Sequence, residues 1–151
     1  MRQQIPNIIT LLNLFLGCMA IVSCFQFGTV ASISETGDML IEIPEKLYLA
    51  SLFIGLAAVV DFLDGYVARL MKVPSEMGKQ LDSLADVVSF GVAPACIVYQ
   101  FLRLALANDV NALATSSWLY APAFIIPMAG AYRLARFNLD LTQSTYFKGV
   151  P

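Results

Sequence analysis

Asp61-Phe62-Leu63-Asp64-Gly65-Tyr66-Val67-Ala68-Arg69 closes one long apolar run of this 151-residue chain, and Gly78-Lys79-Gln80-Leu81-Asp82-Ser83-Leu84-Ala85-Asp86 opens the next. A helix turns about 100° per residue, so Asp61, Asp64, Gly65 and Ala68 share an arc of about 100°, with Arg69 about 40° beyond Gly65. By the same measure Gly78, Asp82 and Asp86 share about 80° of the following helix. A carboxylate at the centre of a membrane helix costs on the order of 3 kcal/mol and is tolerated where it pairs or holds a cation. Two such stripes on neighbouring helices imply a shared site.

Composition sets the surroundings of that site. The chain is 58% hydrophobic and 13% charged, with mean hydropathy +0.72, far from the usual soluble balance. An all-α integral membrane protein follows, a polytopic helix bundle, because only helices or closed barrels satisfy the backbone in lipid. The apolar runs are too long and uniform for barrel strands. Windows of about 20 residues place four spans near 8–30, 47–70, 80–105 and 117–138. Arg2, Lys72, Lys79, Arg133, Arg136 and Lys148 fall at the N-terminus, the second connection and the tail. Glu35, Asp38, Glu42, Glu45 and Asp109 fall in the first and third connections. The preference of Lys and Arg for the cytoplasm puts the N-terminus inside, with Lys46 on the unexpected side and Arg103 near an outer end.

The remaining features are structural expectations. The run from Ile5 is too long for a signal peptide and reads as a retained helix. Cys18, Cys24 and Cys96 lie in apolar runs, lack CxxC spacing and have no histidine beside them anywhere in the chain, which favours buried, inert thiols over zinc ligands. Pro94, Pro122 and Pro127 are expected to kink the third and fourth helices. Gly55, Ala57 and Ala58, with Gly91, Ala93 and Ala95, allow helices to approach closely. Nucleic acid is not an expected partner.

The connection between the two acidic stripes is short and holds Pro74, favouring an antiparallel hairpin; Ser75 is placed to cap the third helix and Glu76 lies in its first turn. Oxygen-only ligands favour a hard divalent cation, Mg²⁺ or Mn²⁺, and four carboxylates suffice to bridge two. Gly65 and Ala68 leave a bare face beside the acids, and Arg69 offers a cation to a phosphate oxygen. This set suits phosphoryl transfer, with Asp86, the last of the series, as general base. The same carboxylates also suit an ion pathway or proton relay, and a cation or proton transporter stays open at this point.

The string Asp61-x2-Asp64-Gly65-x2-Ala68-Arg69-x8-Gly78-x3-Asp82-x3-Asp86 resembles the signature of the CDP-alcohol phosphotransferase family at all eight positions. The resemblance implies a membrane enzyme that passes a phosphoalcohol from a CDP-linked donor to a hydroxyl and releases CMP. It implies that Asp61, Asp64, Asp82 and Asp86 bind two divalent metals, that Gly65, Ala68, Arg69 and Gly78 are nucleotide-binding, and that Asp86 is the base. Ile5-Pro6-Asn7-Ile8-Ile9-Thr10-Leu11-Leu12-Asn13-Leu14-Phe15-Leu16-Gly17, Arg133-Leu134-Ala135-Arg136-Phe137-Asn138 and Phe147-Lys148-Gly149-Val150-Pro151 resemble a branch of that family, the bacterial and archaeal membrane-embedded phosphatidylserine synthases. That branch implies CDP-diacylglycerol and L-serine as substrates, a homodimer, and a prokaryotic inner membrane with the site on the cytoplasmic side. Glycerol phosphate or inositol phosphate is the alternative acceptor.

Arg133, Arg136, Asn138 and Asn13 are then candidates for binding the lipid phosphate or serine. For the two arginines the competing role is a cytoplasmic anchor. For Asn7, Thr10 and Asn13 it is hydrogen bonding between helices. Family members usually carry about six membrane helices, so residues 1–151 are expected to form one membrane domain truncated at the C-terminus.

Overall fold

Two stripes of small side chains organise the helices. In the computed structural model, which describes residues 4–26, 31–33, 39–41, 45–71, 76–106 and 117–139, helix α1 spans Gln4–Phe25 and helix α2 spans Glu45–Met71. On α1 the buried positions Thr10, Asn13, Gly17, Ala20 and Cys24 alternate in steps of three and four. On α2 Leu47, Ala50, Ala57 and Asp64 are buried, with Ile54 and Asp61 half-buried at the intervening steps. Such a 3.5-residue repeat keeps one seam facing the partner helix. Small residues along the seam let the backbones approach where lipid offers no hydrophobic drive for association.

The α1–α2 pair is antiparallel and tied at both ends. Near one end the Thr10 hydroxyl donates to Asp64. At the other, Lys46 Nζ donates to the Gln26 carbonyl at 3.2 Å, just past the end of α1, where a cation complements the helix dipole. That contact accounts for the one basic residue that departs from the charge pattern. Between α1 and α2 a two-stranded antiparallel ribbon pairs β1 (Ala31–Ile33) with β2 (Met39–Ile41), Ala31 opposite Ile41. Hydropathy alone marked this stretch only as a connection. Glu35, Asp38 and Glu42 lie outside the described residues.

The third span is one continuous run of three parts: α3 (Glu76–Asp86), a π-helical segment (Val87–Val92) and α4 (Ala93–Leu106). It runs parallel to α1. Ser89 Oγ donates to the Asn13 carbonyl at 3.1 Å and Gln100 Nε2 to the Cys24 carbonyl at 2.7 Å, two ties eleven residues apart on each helix. The expected kink at Pro94 takes the form of a change in helix type. Proline has no N–H for the α ladder, and just before it the Ala93 N–H reaches back five residues to the Val88 carbonyl. Pro122 lies within a 3₁₀ segment, Ser117–Phe124. That segment runs directly into α5, Ile125–Leu139. Pro127 falls in the first turn of α5, where the missing donor is no loss. Pro74 and Ser75 lie outside the described residues.

Three described helices, over Asn7–Phe25, Lys46–Val67 and Glu76–Leu106, are long and apolar enough to cross a membrane. The expected fourth span is the 8-residue 3₁₀ segment followed by the 15-residue α5. Neither reaches across alone, but end to end they cover roughly 38 Å. Cys24, Leu47, Ala50 and Cys96 form the buried cluster, with Ile21, Val92 and Ile97 packed on it. Ile8, Leu11, Phe15, Leu52, Leu56, Val59 and Phe62 are exposed, an apolar belt of the kind that faces lipid. Cys24 and Cys96 are buried as expected, whereas Cys18 is exposed, one residue off the α1 seam. All three thiols are free.

Candidate metal centre

The α3 end of the third span rises out of the apolar belt. The run Glu76–Leu106 is 31 residues long, roughly 45 Å of helix against about 30 Å of hydrocarbon. Its first turns, exposed at Glu76, Met77, Lys79 and Gln80, therefore reach the polar boundary, and Asp82 and Asp86 follow one and two turns deeper. On α2, Asp61 and Asp64 lie near the far end of the span Lys46–Val67, at matching depth in the antiparallel hairpin.

The stripes do converge. One carboxylate oxygen from each of Asp61, Asp82 and Asp86 lies within 4.8 Å of the other two. Asp64 is set apart from these three. Its position on α2 is about 60° from Asp61 around the helix, which turns it to the α1 seam, where it is 6% exposed and accepts the Thr10 hydroxyl on Oδ2. Asp64 Oδ1, Asp86 Oδ1 and both polar atoms of the Asn13 amide are buried without a hydrogen-bond partner among the described residues. Unpaired buried polar atoms are costly and rare in a finished site. Their clustering beside three carboxylates fits a bound cation and its attendant oxygens. An all-oxygen donor set fits a hard divalent ion.

The other expected residues surround this point in different ways. Gly65 is exposed, and a Cβ built on it meets nothing within 4 Å, so the helix face beside Asp61 and Asp64 is open. Gly78 is half-buried in the first turn of α3. Ala68 and Arg69 belong to the last turns of α2, and their side chains lie outside the described residues. Arg133 and Arg136 are exposed on α5. Asn138 Nδ2 donates to Ser83 Oγ at 2.7 Å, and Ser83 Oγ donates to the Lys79 carbonyl at 3.0 Å. This clip joins α5 to the residue after Asp82.

Ser83 and Ser89 did not stand out in the sequence. The available signal was spacing: Asp82, Asp86, Ser89 and Ala93 continue one stripe of three- and four-residue steps. The π segment carries that stripe on to α1, and a Cβ on Gly17 would come within 2.9 Å of the Ser89 Cα. Only glycine at position 17 permits this approach of α1 to the acidic helix. Gly91 makes the matching contact with α5, its built Cβ 3.3 Å from the Pro127 Cα.

Comparison with known proteins identifies the family. A CDP-diacylglycerol–serine O-phosphatidyltransferase of Saccharomyces cerevisiae is 40% identical over 98% of this chain and 49% of its own length. The protein of that name from Helicobacter pylori is 39% identical over 97% of this chain and 51% of its own, and that from Bacillus subtilis 31% identical over 97% and 68%. The chain thus spans about half the length of the first two and about two thirds of the third. No solved structure matches it. The family model described as CDP-alcohol phosphatidyltransferase matches residues 3–148. That stretch takes in the α1 seam, both acidic stripes and all of α5, and on it the chain belongs to the CDP-alcohol phosphatidyltransferase family.

Proposed function

We propose that this protein is a CDP-diacylglycerol–serine O-phosphatidyltransferase, an integral membrane enzyme that joins the phosphatidyl group of CDP-diacylglycerol to L-serine and releases CMP. The observation that carries the reading is the convergence of Asp61, Asp82 and Asp86 on one point, within a family whose named relatives above share that activity. Asp61, Asp64, Asp82 and Asp86 would hold two divalent cations, Mg²⁺ or Mn²⁺. When bound, such ions neutralise the pyrophosphate charge and favour in-line displacement.

The chain's own groups account for the rest. Asp86 takes the proton of the serine hydroxyl. The serine oxygen forms a bond to the phosphorus that bears diacylglycerol, the bond from that phosphorus to the bridging oxygen breaks, and CMP leaves with the electron pair. The open face at Gly65, with Ala68, Gly78 and Arg69, receives the nucleotide. Arg133 and Arg136, one turn apart and exposed on α5, are suited to the lipid phosphate or the serine carboxylate, since a guanidinium binds either through two parallel hydrogen bonds. Asn13, buried beside Asp86, offers its amide to a substrate oxygen. Asn138, through Ser83, holds α5 against the acidic helix.

The test is CMP release and labelled-serine incorporation by the protein in membranes. Both are expected to require serine and Mg²⁺ or Mn²⁺, and Asp82→Asn is expected to lower turnover about 10²- to 10³-fold, the scale of removing a principal transition-state stabiliser. Release of CMP with glycerol phosphate or inositol phosphate, and none with serine, would reassign the acceptor. Cation flux in liposomes with no CMP release would replace the enzyme reading by transport. The same reading places the N-terminus and the site on the cytoplasmic face of the cell membrane and, by family resemblance alone, the chain in a homodimer.

A further inference from the structure

Asp64 is the one carboxylate of the string that does not join the cluster of three, and what it does instead is specific. It is almost fully buried, 54 residues from Thr10 in sequence, yet the Thr10 hydroxyl donates directly to its Oδ2. Thr10 is itself buried at 2% exposure. With Oδ2 occupied, Oδ1 is left buried and without a hydrogen-bond partner among the described residues. One oxygen is tied to α1 and the other is free, which is how a carboxylate is fixed to present a single oxygen. The tie is mechanically sound, because α1 is held to the acidic helix through the Asn13 carbonyl and Ser89, three residues further along the same seam.

We propose that Thr10 is a positioning residue for the cation site, orienting the Asp64 carboxylate so that Oδ1 is presented as a ligand. The inference rests on the divalent-cation reading above and adds to it a residue outside the aspartate string. Groups that hydrogen-bond a ligating carboxylate fix its direction, and their loss costs about 10- to 100-fold in metal affinity.

The test is Mn²⁺ binding to purified protein without nucleotide, read by electron paramagnetic resonance. Thr10→Val, which keeps the shape and removes the donor, is expected to weaken Mn²⁺ binding about 10- to 100-fold. Thr10→Ser, which keeps the hydroxyl, is expected to stay within about threefold of the parent on the same ground. In an Asp64→Asn background the Thr10→Val effect should vanish, since coupled residues are non-additive. Equal affinity in Thr10→Val and the parent would overturn the proposal, as would a serine variant as weak as the valine one, or a valine effect undiminished by Asp64→Asn. If the parent protein binds no Mn²⁺, the cation reading itself falls and the role of Thr10 with it. Binding by the parent with no difference among the variants removes Thr10 alone.

Discussion

At the scale of single residues, glycines at three depths make a graded test of how the site is held. A Cβ at position 17 would come within 3.0 Å of Ser89 Cα and Cβ, and backbone cannot yield as a flexible side chain does. Gly17→Ala is therefore expected to cost about 1–3 kcal/mol, the usual range for overpacking, and to push Thr10 and Asn13 away from the carboxylates. At position 91 the same change meets Pro127 Cα at 3.3 Å, a few tenths of an ångström to be absorbed, so a smaller loss is expected. At position 55 nothing lies within 4 Å, and alanine is expected to be neutral or mildly stabilising through helix propensity. Thermal unfolding in detergent should rank the three in that order, and a Gly55→Ala loss equal to that of Gly17→Ala would refute the packing account. The aspartates were legible in sequence because their cost in lipid leaves few reasons for them. The Thr10–Asp64 tie was legible only as an option, since angular position on a helix gives direction and not partner.

At the scale of elements, the π segment decides how the acidic helix faces its neighbours. Asp86 immediately precedes Val87–Val92, and the segment ends two residues before Pro94. A π turn carries one residue more than an α turn, so everything before it is rotated by about 100° relative to a continuous α-helix. That rotation lets Asp82 and Asp86 meet Asp61 while Ser89 meets α1 and Gly91 meets α5. Deleting Val88 is expected to restore an uninterrupted α-helix and to turn the two carboxylates away from Asp61. Mn²⁺ binding and CMP release should both be lost while helix content by circular dichroism is retained; activity surviving the deletion would show that the register does not matter. Pro94 was visible in the sequence as a break in the helix. The π segment was not, because a single-residue slip leaves the apolar pattern almost unchanged, and the residues it packs against, Gly17 and Pro127, are distant in sequence.

At the scale of the whole molecule, hydropathy carried most of the outline. The three longest runs are helices of membrane-crossing length, arranged up, down and up by the ties at Thr10–Asp64, Asn13–Ser89 and Cys24–Gln100. The ribbon between α1 and α2 and the 3₁₀ start of the last span escaped notice, since three-residue strands are too short to show a period of two and Pro122 signals a break without its form. Orientation is where the outline makes its sharpest claim. Lys79 is exposed in the early turns of α3, on the side of the carboxylates, and the orientation proposed above from the charge pattern has that side in the cytoplasm. The same proposal has the acidic residue Asp38, in the connection between α1 and α2, on the opposite side. Cys24 and Cys96 are buried and Cys18, though exposed, lies within the apolar span Asn7–Phe25, so a water-borne maleimide should leave the parent chain unmarked in intact cells. Introduced thiols then report each face: Lys79→Cys should react only after the membrane is opened, and Asp38→Cys in intact cells. The reverse pattern would place the carboxylates outside, away from a cytoplasmic supply of serine and CDP-linked lipid, and would end the synthase reading whatever the geometry of the three aspartates.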